Sequence, residues 1–379
     1  MIKYLVINGG GPTGIMSYGS LKYLFQHDFI QLKNIRAIYG TSIGAILGVI
    51  ISLNYNWKTL DDYFLKRPWN KVFTLEPHDF FEMYSNKGLF QFDLVKELLT
   101  PLLTAKDLSE NITLKEFYEF TNIDFHCYTS EMNSFEKVDL NYKTFPNIKL
   151  IKALEMTSAV PVLFKPVFNE NKCYVDGGLF DNYPVNECLK NENCIIDEIL
   201  GIKNKWINRD ITITSDMNLF QYLQGSFSQI VKHIQKETSS KELKYEIKCL
   251  CDANMSDYTQ WLEYITNKEK IAELMENGEQ YGELFLNYEK EMNCENEYTD
   301  LENSKYNENV KNDESYEECE NNEDSQNNKD SESESKCTLE REEESESYND
   351  TIESNVDNYI DSSNNSVIHT YSNNIIMMK

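Results

Sequence analysis

The chain has 379 residues, 40% hydrophobic and 12% aromatic, enough for the core of one large or two ordinary domains and too apolar for a wholly disordered protein. Its 63 acidic against 36 basic residues give a formal charge of -27, which repels phosphate backbones and argues against nucleic acid as a partner. The charge is uneven: residues 293–379 hold 24 acidic and 6 basic side chains, no Phe and no Trp, and are dense in Glu, Ser and Asn. Such a segment buries too little apolar surface to offset its ordering entropy, so it reads as a disordered acidic tail behind a globular part ending near Met292.

Nine cysteines form no CxxC pair and no His/Cys cluster, which suits reduced thiols and a cytoplasmic location better than a disulfide framework or a zinc site. The apolar run Tyr4 to Ile7 stops at Asn8-Gly9, short of the roughly 7 to 15 apolar residues of a signal peptide. The stretch Ile43 to Leu53 is about half of the ~20 residues that span a bilayer, so membrane contact is expected to be peripheral.

Ile2 to Ile7 reads as a buried strand, Ile15 to Phe25 has helical spacing, Ile35 to Tyr39 is a second buried strand, and Ile43 to Leu53 suits a buried helix. Strand and helix alternating within about fifty residues predict a parallel α/β layer. Further helices are expected over Leu60–Lys66, Phe92–Leu103, Leu114–Thr121 behind the cap Thr113, and Lys149–Thr157. Strands are expected over Ile123–Thr129, Phe135–Leu140, Cys173–Val175 and Ile195–Ile202, followed by helices at Leu219–Glu237 and Glu269–Glu291.

Three motifs carry chemistry. The loop Asn8-Gly9-Gly10-Gly11-Pro12-Thr13-Gly14 joins the first strand to the first helix, where unhindered amides and a helix N-terminus favour an anion. Its Gly9, Gly11, Gly14 spacing also matches a dinucleotide fingerprint, but the second strand ends in Gly40-Thr41-Ser42 rather than in the acid that would hold a ribose, and no Lys-Ser/Thr pair makes a P-loop. Gly40-Thr41-Ser42-Ile43-Gly44 lies between a strand and a helix, the context in which G-x-S-x-G forms a nucleophile elbow. Asp176-Gly177-Gly178 places an acid against two glycines at a strand end, where burial would raise its basicity. A Ser-Asp-His triad is poorly supplied by the five histidines: His27, His78 and His126 come early, His233 falls within a predicted helix and His369 in the tail.

In this order the glycine loop, G-x-S-x-G, the segment Thr157 to Pro166 and the stretch Asp176 to Val185 resemble the patatin-like phospholipase family over about Met1 to Leu200. The resemblance implies a three-layer α/β/α fold with a mainly parallel central sheet. It implies a lipid acyl hydrolase with Ser42 as nucleophile, Asp176 as base and the amides of Gly9, Gly10 and Gly11 as oxyanion hole, supported by Gly14, Gly40, Gly44, Gly177 and Gly178. The implied partner is a lipid substrate at a membrane surface, and neither cofactor nor metal is implied. Asn8 and Thr13 depart from the Asp and the basic residue usual at those positions, which puts headgroup preference in question. The rival expectation is a catalytically silent lipid-binding or interaction protein on the same fold.

Overall fold

The computed structural model describes residues 1–73, 77–90, 94–207, 212–237, 241–252 and 258–317. The first half of the chain runs β1 (Tyr4–Ile7), α1 (Gly14–Gln26), β2 (Ala37–Thr41), α2 (Ile43–Ser52), α3 (Trp57–Lys66), α4 (Trp69–Val72), α5 (Pro77–Asn86), β3 (Gly88–Phe90), α6 (Leu94–Thr104) and α7 (Leu114–Thr121). It continues through β4 (Asp124–Glu131), β5 (Glu136–Leu140), α8 (Leu150–Thr157), β6 (Val162–Phe164), β7 (Val167–Asn169), β8 (Lys172–Asp176) and α9 (Val185–Glu192). Then come β9 (Ile199–Trp206), α10 (Leu219–Glu237), β10 (Tyr245–Cys251), α11 (Tyr258–Thr266) and α12 (Lys268–Glu317).

The main sheet has the order β10-β9-β1-β2-β4-β8-β7, with β5 also paired to β4. From β10 to β4 every pairing is parallel, and the pairings of β4, β5, β7 and β8 among themselves are antiparallel. The register sets Tyr4 beside Ala37 and Ala37 beside Asp124, so the strands ending at Ile7 and Thr41 deliver the glycine loop and the elbow to one end of the sheet. This is the place where open α/β sheets bind ligands. One face packs Leu5, Ile7 and Ile38 against α1 and α2, and the other packs Tyr4, Val6 and Tyr39 against Val185 and Cys188 of α9, giving helix, sheet, helix in three layers. β3 and β6 make a separate two-stranded parallel sheet.

The predicted elements are present with shifts of a few residues at their ends, and the Thr113 cap closes a full capping box with Glu116. The first two residues of the predicted helix Phe92–Leu103 lie outside the described residues. Strands β3, β6, β7 and β10 and helices α4, α5, α9 and α11 lie outside the expected elements: most are short, and β10 is an edge strand whose apolar positions are interrupted by Glu246 and Lys248, so it shows no buried run. The boundary expected at Met292 falls inside α12, which continues to Glu317 because nothing in that charged stretch breaks a helix. The compact unit Met1–Asn309 contains all the described strands. Of the second unit, Val310–Lys379, only the end of α12 is described, and residues 318–379 of the expected tail lie outside the described residues.

α12 docks on α1 through glycines. A Cβ at Gly278 would collide with the Met16 carbonyl and one at Gly19 with the Met275 carbonyl, while Ser20 Oγ donates to the Gly278 carbonyl at 2.8 Å. Gly278→Ala should therefore lower unfolding free energy by about 1–3 kcal/mol through overpacking, although the same change on a free helix would gain ~1 kcal/mol from propensity. Urea unfolding reads the sign, and a stabilised variant would show that the two helices do not meet there.

Beneath α9, His126 is buried between two carboxylates, Nδ1 lying 2.8 Å from Asp139 Oδ2 and Nε2 3.2 Å from Asp124 Oδ1, with its ring stacked on Tyr39. Burial alone would lower its pKa, and the carboxylates outweigh burial and hold it up to about 9. Because the folded value lies above the ordinary one of 6.5, this contribution is fully present below pH 6.5 and is lost as pH rises toward 9. Between pH 6 and 9.5 the wild type should lose on the order of 2 kcal/mol more stability than His126→Gln. Parallel stability curves for the two proteins would refute the charged arrangement.

Candidate active site

Ser42 is the first residue after β2 and stands before the first turn of α2 with φ 54° and ψ -126°, a left-handed conformation that a serine rarely adopts. The turn is tight because a Cβ at Gly44 would strike the carbonyl of Ile7, and one at Gly40 would lie 2.6 Å from the amide nitrogen of Ala45. Two side-chain bonds hold it: the Ser42 N–H donates to Thr157 Oγ1 at 3.0 Å, and the Thr157 hydroxyl donates to the Tyr128 carbonyl. Thr157 thus anchors the elbow. The sequence placed it only within a family-like segment, because a tertiary hydrogen bond leaves no local pattern.

Asp176 ends β8 and caps a short 3-10 turn over Gly177–Leu179, its Oδ1 accepting the Gly178 N–H at 2.7 Å. Its N–H donates to the Ala159 carbonyl at 2.9 Å and its carbonyl accepts Ser130 Oγ at 2.9 Å, so the backbone is held from both sides. Burial pushes the carboxyl up to about 6, opposed by the nearby Ser42 hydroxyl and by the Gly178 amide, both of which favour the ionised form. Oδ2 is buried with no hydrogen bond of ordinary geometry among the described residues, so the Ser42 contact falls short of a formed bond. Ser42 and Asp176, remote in sequence, are brought to one place.

The glycine loop departs in part from expectation. The Gly9 N–H donates to the Asn182 carbonyl at 3.1 Å, and Asn182 Nδ2 returns a bond to the Gly9 carbonyl at 3.1 Å. Its amide is therefore committed to holding the loop, whereas among the described residues no acceptor takes the amides of Gly10 and Gly11, the latter at φ 54°. Asn8 exchanges two bonds with the backbone of Asn204, donating from Nδ2 at 3.2 Å and accepting at Oδ1 at 2.9 Å. An ionised Asp has no donor for the first of these. Thr13 is buried and its hydroxyl donates to the Gly10 carbonyl at 2.8 Å, so this position shapes the loop and does not face a headgroup.

A cavity of about 360 Å³ is lined by Ser42, Asp176 and Gly9 to Gly11 at its polar end. Beyond them its walls are mostly apolar, with Ile46, Leu98, Phe164, Phe227 and Trp261 among them, and α10 adds polar side chains including Gln224, Lys232 and Gln235. Its size and character suit a flexible apolar ligand presenting one polar group to the glycine loop. Among the described residues no histidine lines it: His126 belongs to the network under α9 and His233 is exposed on α10. Gly14, Gly40, Gly44 and Gly177 pack backbone against neighbouring groups and supply no group to the cavity, while Gly178 lines it.

One described trio has the donor set of a metal site. Asp124, His126 and Glu192 bring ligand atoms within 4.8 Å of one another. Their partners are protein groups: Lys143 Nζ donates to Asp124 Oδ2 at 2.6 Å, Tyr39 donates to Glu192 Oε1 at 2.8 Å, and Asp139 holds the imidazole. The imidazolium and the Lys143 ammonium offset two of the three carboxylate charges here, and the Tyr39 hydroxyl bonds the third carboxylate, Glu192. None of the three residues lines the cavity.

Residues 5–189 match the family described as patatin-like phospholipase. The chain is similar to "Probable lipid hydrolase 463L" of Invertebrate iridescent virus 6, with 25% identity over 233 residues, covering 60% of this chain and 77% of the relative. It is also similar to "Uncharacterized protein R571" of Acanthamoeba polyphaga mimivirus, with 23% identity over 232 residues, 59% of this chain and 73% of the relative. Among solved structures, VipD from Legionella pneumophila aligns with a TM-score of 0.39 and 16% identity over 73% of this chain and 67% of that one. The type III effector ExoU aligns with a TM-score of 0.40 and 14% identity over 76% and 53% respectively. Residues 5–189 of this chain thus constitute a patatin-like phospholipase domain.

Proposed function

We propose that the protein is a lipid acyl hydrolase of phospholipase A type, cleaving carboxylic esters of phospholipids or related lipids with Ser42 as nucleophile and Asp176 as base. The observation that carries this reading is the meeting of Ser42, strained at an elbow, with a buried carboxyl whose pKa is raised to about 6, at the polar end of an apolar cavity. The family match and the lipid-hydrolase relative support the same class.

In this scheme an acyl chain lies among the apolar walls and its ester carbonyl sits over Gly10 and Gly11. Asp176 takes the Ser42 hydroxyl proton as Oγ bonds to the carbonyl carbon. The oxyanion is held by the amides of Gly10 and Gly11 and by the N-terminus of α2. The C–O bond to the alcohol breaks as Asp176 returns the proton to the leaving oxygen. Water then attacks the acyl-serine, giving its proton to Asp176. Collapse of the second oxyanion frees the fatty acid, and the proton returns to Ser42. Gly9 and Asn182 hold the loop and do not touch the oxyanion. No metal or cofactor takes part in these steps. Among the described residues no helix is long and apolar enough to cross a membrane, so the scheme has the enzyme meet its lipid at a surface.

Purified protein should hydrolyse members of a panel of phospholipids and neutral esters. Ser42→Ala and Asp176→Asn should each lose about 10³-fold or more in turnover, and the double variant should lose no more than either single one because the pair acts as a unit. Wild-type turnover in either single variant would remove that residue from the dyad.

The base must be ionised to accept a proton, so kcat/KM should rise with pH through about 6, the value to which burial lifts Asp176. A rate independent of pH between 5 and 8 would refute Asp176 as the base.

A further inference from the structure

α10 has two distinct sides. One, mixed in polarity, lines the cavity with Gln224, Phe227, Gln229, Val231, Lys232 and Gln235, and the last donates from Nε2 to the Gly178 carbonyl beside Asp176. On the other, Leu219, Tyr222, Leu223 and Ile230 stand 69%, 49%, 41% and 55% exposed. Positions 219, 223 and 230 project within about 40° of one another on a helix, and His233 extends the same side, roughly opposite the cavity stripe. Large apolar side chains aligned on an exposed face mark an interaction surface.

Charge selects the occupant. In a chain with 63 acidic residues, the first 18 residues of α10, Leu219 to Lys236, contain none, and they carry Lys232, His233 and Lys236. Nothing on this helix before Glu237 would repel lipid phosphates or require an acid to be desolvated at an interface. Another exposed aromatic pair, Phe81 and Tyr84 on α5, has Asp79 and Glu82 within the same turns, and none of the described side chains of α5 lines the cavity. Among the described helices, α10 alone joins an exposed, acid-free face of large apolar side chains to a wall of the cavity, a separation of about 10 Å across the helix.

We propose that the outer face of α10, centred on Leu219, Leu223 and Ile230, is the surface by which the protein rests on a zwitterionic lipid surface, the same helix forming a wall of the cavity on its other side. The proposal rests on the lipid-hydrolase reading for its purpose, and docking is measurable apart from catalysis.

The full chain carrying Ser42→Ala tests docking without turnover. It should co-sediment with phosphatidylcholine vesicles, and adding Leu219→Ser, Leu223→Ser and Ile230→Ser should reduce partitioning by about tenfold or more. In the active protein the same three changes should reduce hydrolysis of vesicle phospholipid by a similar factor and leave hydrolysis of a monomeric short-chain p-nitrophenyl ester unchanged, which also shows that the variant is folded. Ile230→Trp provides a second reading, its emission shifting to the blue on vesicles. Unchanged vesicle binding in the triple variant, or equal loss on the soluble ester, would overturn the proposal. A self-associated wild type that the triple variant renders monomeric would overturn it too, since the face would then meet a second copy. Vesicle binding that depends on α10 in a protein that hydrolyses neither substrate would leave docking standing and refute the hydrolase reading.

Discussion

The contact on which the site depends is the one between the first turn of α2 and the end of β1. With no side chain at Gly44, the helix backbone comes within contact of the Ile7 carbonyl, and the chain between β2 and α2 must turn through Ser42 at φ 54°. That conformation costs on the order of 1–3 kcal/mol and persists only where the surroundings over-determine it. Parallel pairing of β1 with β2 and of β2 with β4 supplies the constraint from below, and Thr157 supplies it from the side.

A second strained residue lies nearby in sequence to that anchor. Val162 has φ 74°, unusual for a β-branched side chain, at the start of β6 and beside the cavity residues Pro161 and Leu163. The segment from Thr157 to Phe164 therefore holds the elbow at one end and shapes the cavity wall at the other. Ala159 between them accepts the Asp176 N–H. One short stretch links nucleophile, carboxyl and wall.

The two buried acidic clusters make opposite use of desolvation. At Asp176 burial is only partly answered by a serine hydroxyl and one amide, so the carboxyl remains basic near neutrality. Beneath α9 the carboxylates of Asp124 and Asp139 face a histidine and the Lys143 ammonium, so burial is overcome and the charges are fixed. The first arrangement leaves a proton able to move, and the second supports the sheet from the opposite face.

The sequence by itself determined the local features: the buried strands at Tyr4–Ile7 and Ala37–Thr41, the glycine-rich and G-x-S-x-G turns after them, the Thr113 cap and the helix over Leu219–Glu237. These follow from periodicity and from backbone demands that only glycine meets, and both are written within a few residues. The charge of the C-terminal stretch was equally plain, though not where α12 ends, since helix propensity continues past the last apolar contact. Tertiary structure alone decided that Gly9 gives its amide to Asn182, that Asn8 bridges to Asn204, that Thr157 holds Ser42, and that α12 docks through Gly278. Each joins groups separated by roughly 115 to 260 residues, at distances a hydrogen bond or a missing Cβ sets in space and no local pattern records.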